Sequence, residues 1–210
     1  MNGNSMKKIA YANAVADDKV RRFVPPVRVV RESAGVSDSA ALLDGVHTQS
    51  FVHFNPRECV LPPGGEIILD FGLELHGLLT VTTGCMKLSR ARITFGESVS
   101  ETLGTPTQDH AIHQELLSLP QLGQVNFGQT AFRFVRLEIP ADAPEVRLIG
   151  VVATAIYRDW EYRGTFLSDD ERLNRIWEVG AYTVHLNCQD YIYDGVKRDR
   201  LVWMGDLYPE

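Results

Sequence analysis

At Gly164 the hydrophobic repeat of this chain changes from two residues to 3.6, so the stretches on either side cannot be the same kind of element. Before that point lie short runs rich in β-branched and aromatic residues: VRVV at 27–30, FVHF at 51–54, EIILDF at 66–71, HGLLTVT at 76–82, ARITF at 91–95, AFRFVRLEI at 131–139 and VRLIGVVATAIY at 146–157. Turn residues separate them, most clearly Pro62-Pro63-Gly64-Gly65, with Gly72, Gly84 and Gly96 marking further breaks. Many short strands with regular turns and no helix between them predict an antiparallel β-sandwich. Residues 98–129 depart from this texture. They are polar and broken by Gly104, Pro106, Pro120 and Gly123, and they predict a long excursion with a short helix near 114–119. The first 22 residues, polar and alanine-rich, read as a loosely held arm.

After Gly164 the pattern is helical. Ser168 followed three residues later by Glu171 is a capping box, and Asp169 and Asp170 place negative charge where a helix N-terminus favours it. Leu173, Ile176, Trp177, Gly180, Ala181 and Val184 then fall on one face. A helix over 169–187 with Trp177 in the core is predicted, and YIYDG carries the chain from it into irregular backbone. The expected organisation is an arm over 1–22, a β-sandwich over 23–163 and the beginning of a helical unit over 164–210.

Charge and composition exclude several function classes. A net charge of −6 argues against a nucleic-acid partner, which needs a basic face, and a neutral ligand fits better. Three cysteines at no motif spacing read as buried thiols in a reducing compartment. The N-terminal residues lack a sustained apolar core, and no apolar stretch reaches membrane-spanning length, so a cytoplasmic protein without a membrane partner is expected. No nucleophile elbow, phosphate-cradling loop or dinucleotide fingerprint is present.

The chemistry is concentrated in DGVKRDRLVWMGDLYPE at 194–210, where Asp194, Asp199 and Asp206 stand five and seven residues apart among Arg198, Arg200, Trp203 and Gly205. Carboxylates grouped around an aromatic platform suit a sugar-cleaving pocket, in which one donates a proton and others hold hydroxyls. The string resembles the motif that opens the catalytic domain of the α-L-rhamnosidases, glycoside hydrolase family 78. An Asp, an Arg-acid pair and Trp-x-Gly-Asp match in order at Asp194, Arg198, Asp199, Trp203, Gly205 and Asp206. A subgroup pattern, D-G-x-K-R-D-R-x-x-W-x-G-D-x-x-P-E, matches at eleven fixed positions through Pro209 and Glu210. Many members carry Glu where this chain has Asp199, one methylene longer. Weaker similarity extends through LDFGLELHG at 69–77, FGESVSE at 95–101 and FRFVRLE at 132–138.

The resemblance implies inverting hydrolysis of terminal α-L-rhamnosides with no metal or other cofactor. It implies Asp199 as general acid, Asp194 and Asp206 holding sugar hydroxyls, Arg198 setting local charge, and Trp203 offering an apolar face. It also implies a catalytic domain that is an (α/α)6 six-hairpin barrel. Twelve helices of about 11–12 residues each need roughly three times the 47 residues that follow Arg163. The expected fold is therefore a β-sandwich followed by the first helix and loop of a truncated barrel. The family's general base, a Glu far downstream, is not among these residues, so the 210-residue fragment is expected to be inactive. The expected partner is a carbohydrate, with homo-oligomerisation possible. The alternatives are a non-catalytic carbohydrate-binding or scaffold module and a six-hairpin glycosidase for another sugar.

One physical difficulty attends Asp199. Two arginines flank it, and a nearby cation lowers a carboxyl pKa whereas a general acid needs it raised. Other candidates have plainer readings. Asp109, His110 and His113 fall short of a metal ligand set and read as a surface loop. His76 reads as a packing residue, Tyr191 and Tyr193 read equally as sugar platform or core filler, and Cys188 has no recognisable base beside it.

Overall fold

The computed structural model describes residues 18–44 and 57–206, so the run at 51–54, most of the N-terminal arm, Pro209 and Glu210 lie outside the described residues. Among the described residues there are eight strands: β1 (Lys19–Val24), β2 (Arg28–Glu32), β3 (Cys59–Leu61), β4 (Glu66–Thr83), β5 (Ser89–Gly96), β6 (Gln114–Leu119), β7 (Gln124–Glu138) and β8 (Val146–Arg158). They form one antiparallel sheet in the order β1-β8-β4-β7-β5-β6, with β2 also on β4 and β3 also on β8.

The runs at 66–71 and 76–82 are two parts of a single strand, β4, and the break between them organises the sheet. Before it, Glu66–Asp70 pair with Phe134–Glu138 of β7 on one side and with β2 on the other. After it, Gly77–Thr83 pair with the first half of β7 and with β8. Register is lost between Asp70 and Leu75, where Gly72 takes φ +87°, a left-handed conformation open to glycine at little cost. Gly77 is required for a different reason: a Cβ there would lie 2.0 Å from the Thr154 carbonyl oxygen. Both halves contribute to the same apolar cluster, with Leu69, Val135 and Leu137 from the first and Leu79, Val81 and Val151 from the second. Phe132 joins them, edge-on to Phe71 at 5.6 Å and tilted against Phe95 at 4.6 Å.

Asp70 holds the break in shape. Its side chain is 3% exposed and accepts four hydrogen bonds: from the Gly72 amide and Arg133 Nε (2.8 Å each), and from Arg28 Nη2 (2.8 Å) and Arg133 Nη2 (3.0 Å). The Arg133 bond, with the Gly72 amide and Arg28 adding to it, pulls the carboxyl pKa down to about 2 against the opposing effect of burial.

Several sequence expectations are corrected. Residues 19–22, read as part of the arm, are in β1 and pair with β8. The excursion holds no helix at 114–119; Gln114–Leu119 is β6, an edge strand on β5. QELLSL is built from helix formers, but hydrogen bonding along the open edge of β5 outweighs that local preference. The excursion's helix is instead α1 (Val99–Leu103), capped by Ser98.

The second helix, α2 (Glu171–Asn187), starts two residues later than expected. Its N-cap is Asp170, which accepts from the Arg172 amide at 2.8 Å, while the Ser168 hydroxyl accepts the Asp170 amide at 3.2 Å. Trp177 is not a core residue, being 37% exposed, and Leu173 and Ile176 beside it are more exposed still. The reason is that α2 meets the sheet mainly through its C-terminal half, where Leu186 and Tyr182 pack with Ala131 and Val196. The connection from β8 is tied to the same helix by His185. Its Nδ1 accepts from the Tyr162 hydroxyl at 2.8 Å, its Nε2 donates to the Arg158 carbonyl, and Trp160 stacks on its ring at 5.6 Å. Among the described residues no helix is long and apolar enough to cross a membrane.

Two outcomes are expected. Asp70→Asn leaves two guanidinium groups facing a neutral amide and lowers stability by about 2–3 kcal/mol at pH 7, measured by urea denaturation. Because the folded carboxyl titrates near 2, below its ordinary value of 3.8, its stabilisation is complete above pH 4 and fades between about pH 4 and pH 2. The gap between wild type and variant therefore closes at pH 2; a gap of constant size contradicts the assignment. Second, the open apolar stripe of α2 promotes self-association, so ending the chain at residue 163 lowers light scattering at equal concentration; unchanged scattering speaks against it.

Candidate functional site

The end of α2 sets up the loop that carries the motif. Asn187 accepts the Val196 amide on Oδ1 at 2.9 Å and the Tyr193 amide on its carbonyl at 3.1 Å, so the chain turns back on the helix before the acidic string begins. Asp194 then closes the loop. Its amide donates to the Leu201 carbonyl and its Oδ1 accepts the Leu201 amide, both at 2.9 Å, while its Oδ2 accepts Trp203 Nε1 at 3.0 Å. Each carboxylate oxygen keeps one further acceptor position.

Within this closed loop Lys197 and Arg200 make the flanking contacts, and Arg198 and Asp199 lie between them. Lys197 is 6% exposed and reaches Glu101 of α1. Arg200 turns to the sheet, donating from Nη2 to the Gln129 carbonyl at 2.6 Å and from Nε to the Val196 carbonyl at 3.1 Å. Arg198 and Asp199 line a cleft of about 620 Å³. Asp199 and Arg200 both adopt left-handed backbone, with φ of +67° and +52°. Such strain in non-glycine residues persists only where the surroundings impose it.

Of the two arginines that flank Asp199 in sequence, one is turned away. Arg200 spends its guanidinium on backbone carbonyls. Arg198 remains, with Nε 3.4 Å from Asp199 Oδ2, but its side chain is 67% exposed and solvent weakens the attraction. The Asp199 side chain is 40% exposed at the cleft wall.

The opposite wall comes from the sheet. Glu74 sits on the β4 break, Glu97 follows β5, and Glu101 projects from α1. Burial, then the negative charge of Glu97 and a hydrogen bond with it, push the Glu74 carboxyl up to about 7, with Lys197 pulling the other way. Glu101 caps its own helix: its amide donates to Ser98 Oγ at 3.2 Å and its Oε2 accepts the Glu97 amide at 2.8 Å. His113 lies between Glu101 Oε1 (3.6 Å from Nδ1) and Asp109 Oδ1 (2.8 Å from Nε2). Asp109 is drawn down to about 2 by the Ala111 amide first, then by the Thr107 hydroxyl and His113.

The sequence-derived residues are thus only partly brought together. Asp194, Arg198 and Asp199 share the cleft. Trp203, 56% exposed, touches Asp194 through its indole N–H but is not in the cleft wall. Asp206 donates its amide to the Trp203 carbonyl at 3.1 Å and also lies away from it. Asp109 and His113, read as a surface loop, line the cleft, whereas His110 is exposed. His76 is buried, and its pKa falls to about 4, chiefly through burial and then through Arg200. Tyr191 and Tyr193 stand 6.2 Å apart, with Tyr191 exposed. Glu74, Glu97, Glu101 and Lys197 were missed as site residues. Ser98-x-x-Glu101 is a capping-box pattern that could have located α1, but nothing local announces the partner of the buried Lys197, 96 residues away.

Glu74 makes the cleft pH-sensitive. Its folded pKa, about 7, stands above the ordinary 4.5, so the folded state holds the proton more tightly and stability falls as pH rises between those values. Glu74→Gln is expected to be more stable than wild type at pH 8, by on the order of 1–3 kcal/mol, and close to it at pH 4. Urea midpoints at the two pH values check this; a variant that is destabilised equally at both contradicts it.

No protein-family model and no curated protein sequence matches this chain. Solved structures do. A rhamnosidase from Klebsiella oxytoca with rhamnose bound is 26% identical with a TM-score of 0.68, over 91% of this chain and 40% of that one. The GH78 family rhamnosidase of Bacillus sp. GL1 is 18% identical with a TM-score of 0.59, over 80% of this chain and 18% of its own. The α-L-rhamnosidase from Dictyoglumus thermophilum is 17% identical with a TM-score of 0.54, over 88% and 18% respectively. The last two carry information on fold alone. The chain spans less than half the length of each of these proteins. Its structural neighbours are family 78 α-L-rhamnosidases, matched over part of their length.

Proposed function

We propose that this chain is the amino-terminal part of an inverting α-L-rhamnosidase. On this reading the two halves of the sheet form a β-sandwich, and α2 with its loop opens a six-hairpin catalytic barrel. The observation that carries the reading is the loop at 194–201, tied on both flanks so that Asp199 and Arg198 face a polar cleft. The resemblance of its sequence to the family 78 motif, and the fold shared with a rhamnosidase that has rhamnose bound, support the assignment.

Asp199 serves as general acid. As the glycosidic C–O bond breaks, its carboxyl proton passes to the departing oxygen. Asp194, whose two oxygens already hold the loop, presents their remaining acceptor positions to sugar hydroxyls. Arg198 donates hydrogen bonds to the substrate and steadies the Asp199 carboxylate left after proton transfer. Trp203 offers its exposed indole to the sugar ring, and Asp206 holds a further hydroxyl once substrate and the remaining catalytic domain bring them together. The base that takes a proton from the attacking water belongs roughly 6.5–9.5 Å from the acid and comes from outside these 210 residues.

The test is hydrolysis of an aryl α-L-rhamnoside by the 210-residue chain and by the product of the whole reading frame that contains it. Turnover by the latter alone, with release of the inverted anomer by NMR, is expected. Asp199→Asn in that protein should lower kcat by about 10²–10⁴-fold on a poor leaving group. Sugar binding without turnover in either protein supports a carbohydrate-binding module instead, and turnover of a different glycoside changes the sugar but keeps the chemistry. Turnover by the 210 residues alone contradicts the missing base.

A further inference from the structure

We propose that Lys197 and Glu101 are positioning residues for the acid: their ion pair joins the motif loop to the sheet domain and thereby decides that Asp199 faces the cleft. The proposal rests on the reading of Asp199 as general acid and deepens it.

The loop is closed on itself by Asp194, but a closed loop can still rotate about its two ends. Two contacts stop that rotation, one on each flank of the Arg198-Asp199 pair. On one side Lys197, 6% exposed, is inserted against Glu101. On the other, Arg200 Nη2 donates to the Gln129 carbonyl at 2.6 Å, and Gln129 itself has φ +89°. Between these anchors Asp199 and Arg200 hold left-handed backbone, strain that persists only where the surroundings impose it.

Glu101 is suited to its part because it cannot swing away. Its other oxygen is engaged by the Glu97 amide at 2.8 Å, which fixes the carboxylate relative to α1, and α1 follows directly on β5 behind its Ser98 cap. A buried ammonium needs such a preset partner, since burying it unpaired is strongly unfavourable. The flanking cations of the motif therefore have distinct duties. Lys197 and Arg200 serve as anchors, and Arg198 alone remains with the acid.

The test compares substrates whose leaving groups need different amounts of protonation, in the product of the whole reading frame. A 2,4-dinitrophenyl rhamnoside departs with little help from an acid, whereas an alkyl rhamnoside needs the full proton. Lys197→Met and Glu101→Gln are expected to lose about 100-fold in kcat/KM on the alkyl glycoside and about 10-fold or less on the dinitrophenyl one. Lys197→Arg should recover part of the alkyl activity. Equal losses on both substrates mean that the pair serves folding alone and overturn the proposal.

A second arm does not depend on turnover. In the 210-residue chain, hydrogen exchange of the Leu201 amide, which donates to Asp194, should speed up about 10-fold or more in Glu101→Gln while amides of the β4–β7 pairing keep their protection. Unchanged exchange at Leu201 overturns the positioning role even if no rhamnoside is hydrolysed. Absence of wild-type turnover with accelerated exchange refutes the rhamnosidase reading and leaves the anchor standing.

Discussion

Four N–H donors converge on the carboxylate of Asp70, and the shape of the sheet follows from that convergence. One donor is the backbone two residues on, one belongs to Arg28 at the start of β2, and two come from Arg133 on β7. A carboxylate with all its partners in place keeps its charge in the interior, whereas one with gaps would take up a proton and let the bend relax. The bend lets one long strand serve two sets of neighbours, and it brings Glu74 to the cleft that the motif loop lines. Glu74 reaches the cleft because Asp70 stays where it is.

The seam between the sheet and the helical segment is built differently from the sheet's own interior. Within the sheet, buried leucine, isoleucine, valine and phenylalanine side chains from both halves pack together. At the seam the buried apolar contribution is small, from Ala131, Leu186 and Val196. Most of the remainder is directional: Tyr182 to the Glu74 carbonyl, Lys197 to Glu101, Arg200 to the Gln129 carbonyl, and Arg158 Nε to the Gln189 carbonyl at 2.8 Å. Apolar contact is tolerant of small shifts, whereas hydrogen bonds to fixed carbonyls are not. A loop that must present one carboxylate in a defined direction is better secured by the second kind.

Much of this was legible from residue patterns. The runs at 91–95, 131–139 and 146–157 are strands because β-branched and aromatic residues alternate there between definite turns, and the helix after Gly164 is announced by its apolar spacing. What could not be read locally depended on distant partners. Gln114–Leu119 has helical propensity and becomes a strand only because β5 offers an unpaired edge. Residues 19–22 look like a polar arm until β8 pairs with them. Trp177 lies on an apolar stripe, but a stripe says only that a face can be buried, not that these residues bury it. In the cleft, the motif pointed to Asp194, Arg198 and Asp199, while the facing carboxylates came from strings far upstream, Glu74 at the bend in β4 and Glu97 and Glu101 beyond the end of β5.

The aromatic clasp around His185 has a mechanical meaning. Because one imidazole is bonded to Tyr162, to the last residue of β8 and, by stacking, to Trp160, the segment leaving the sheet and the helix that follows behave as one lever with its fulcrum at Arg158. Torque applied to the outer end of α2 reaches the sheet at that fulcrum and travels along β8, the strand that also borders β4 beyond its bend.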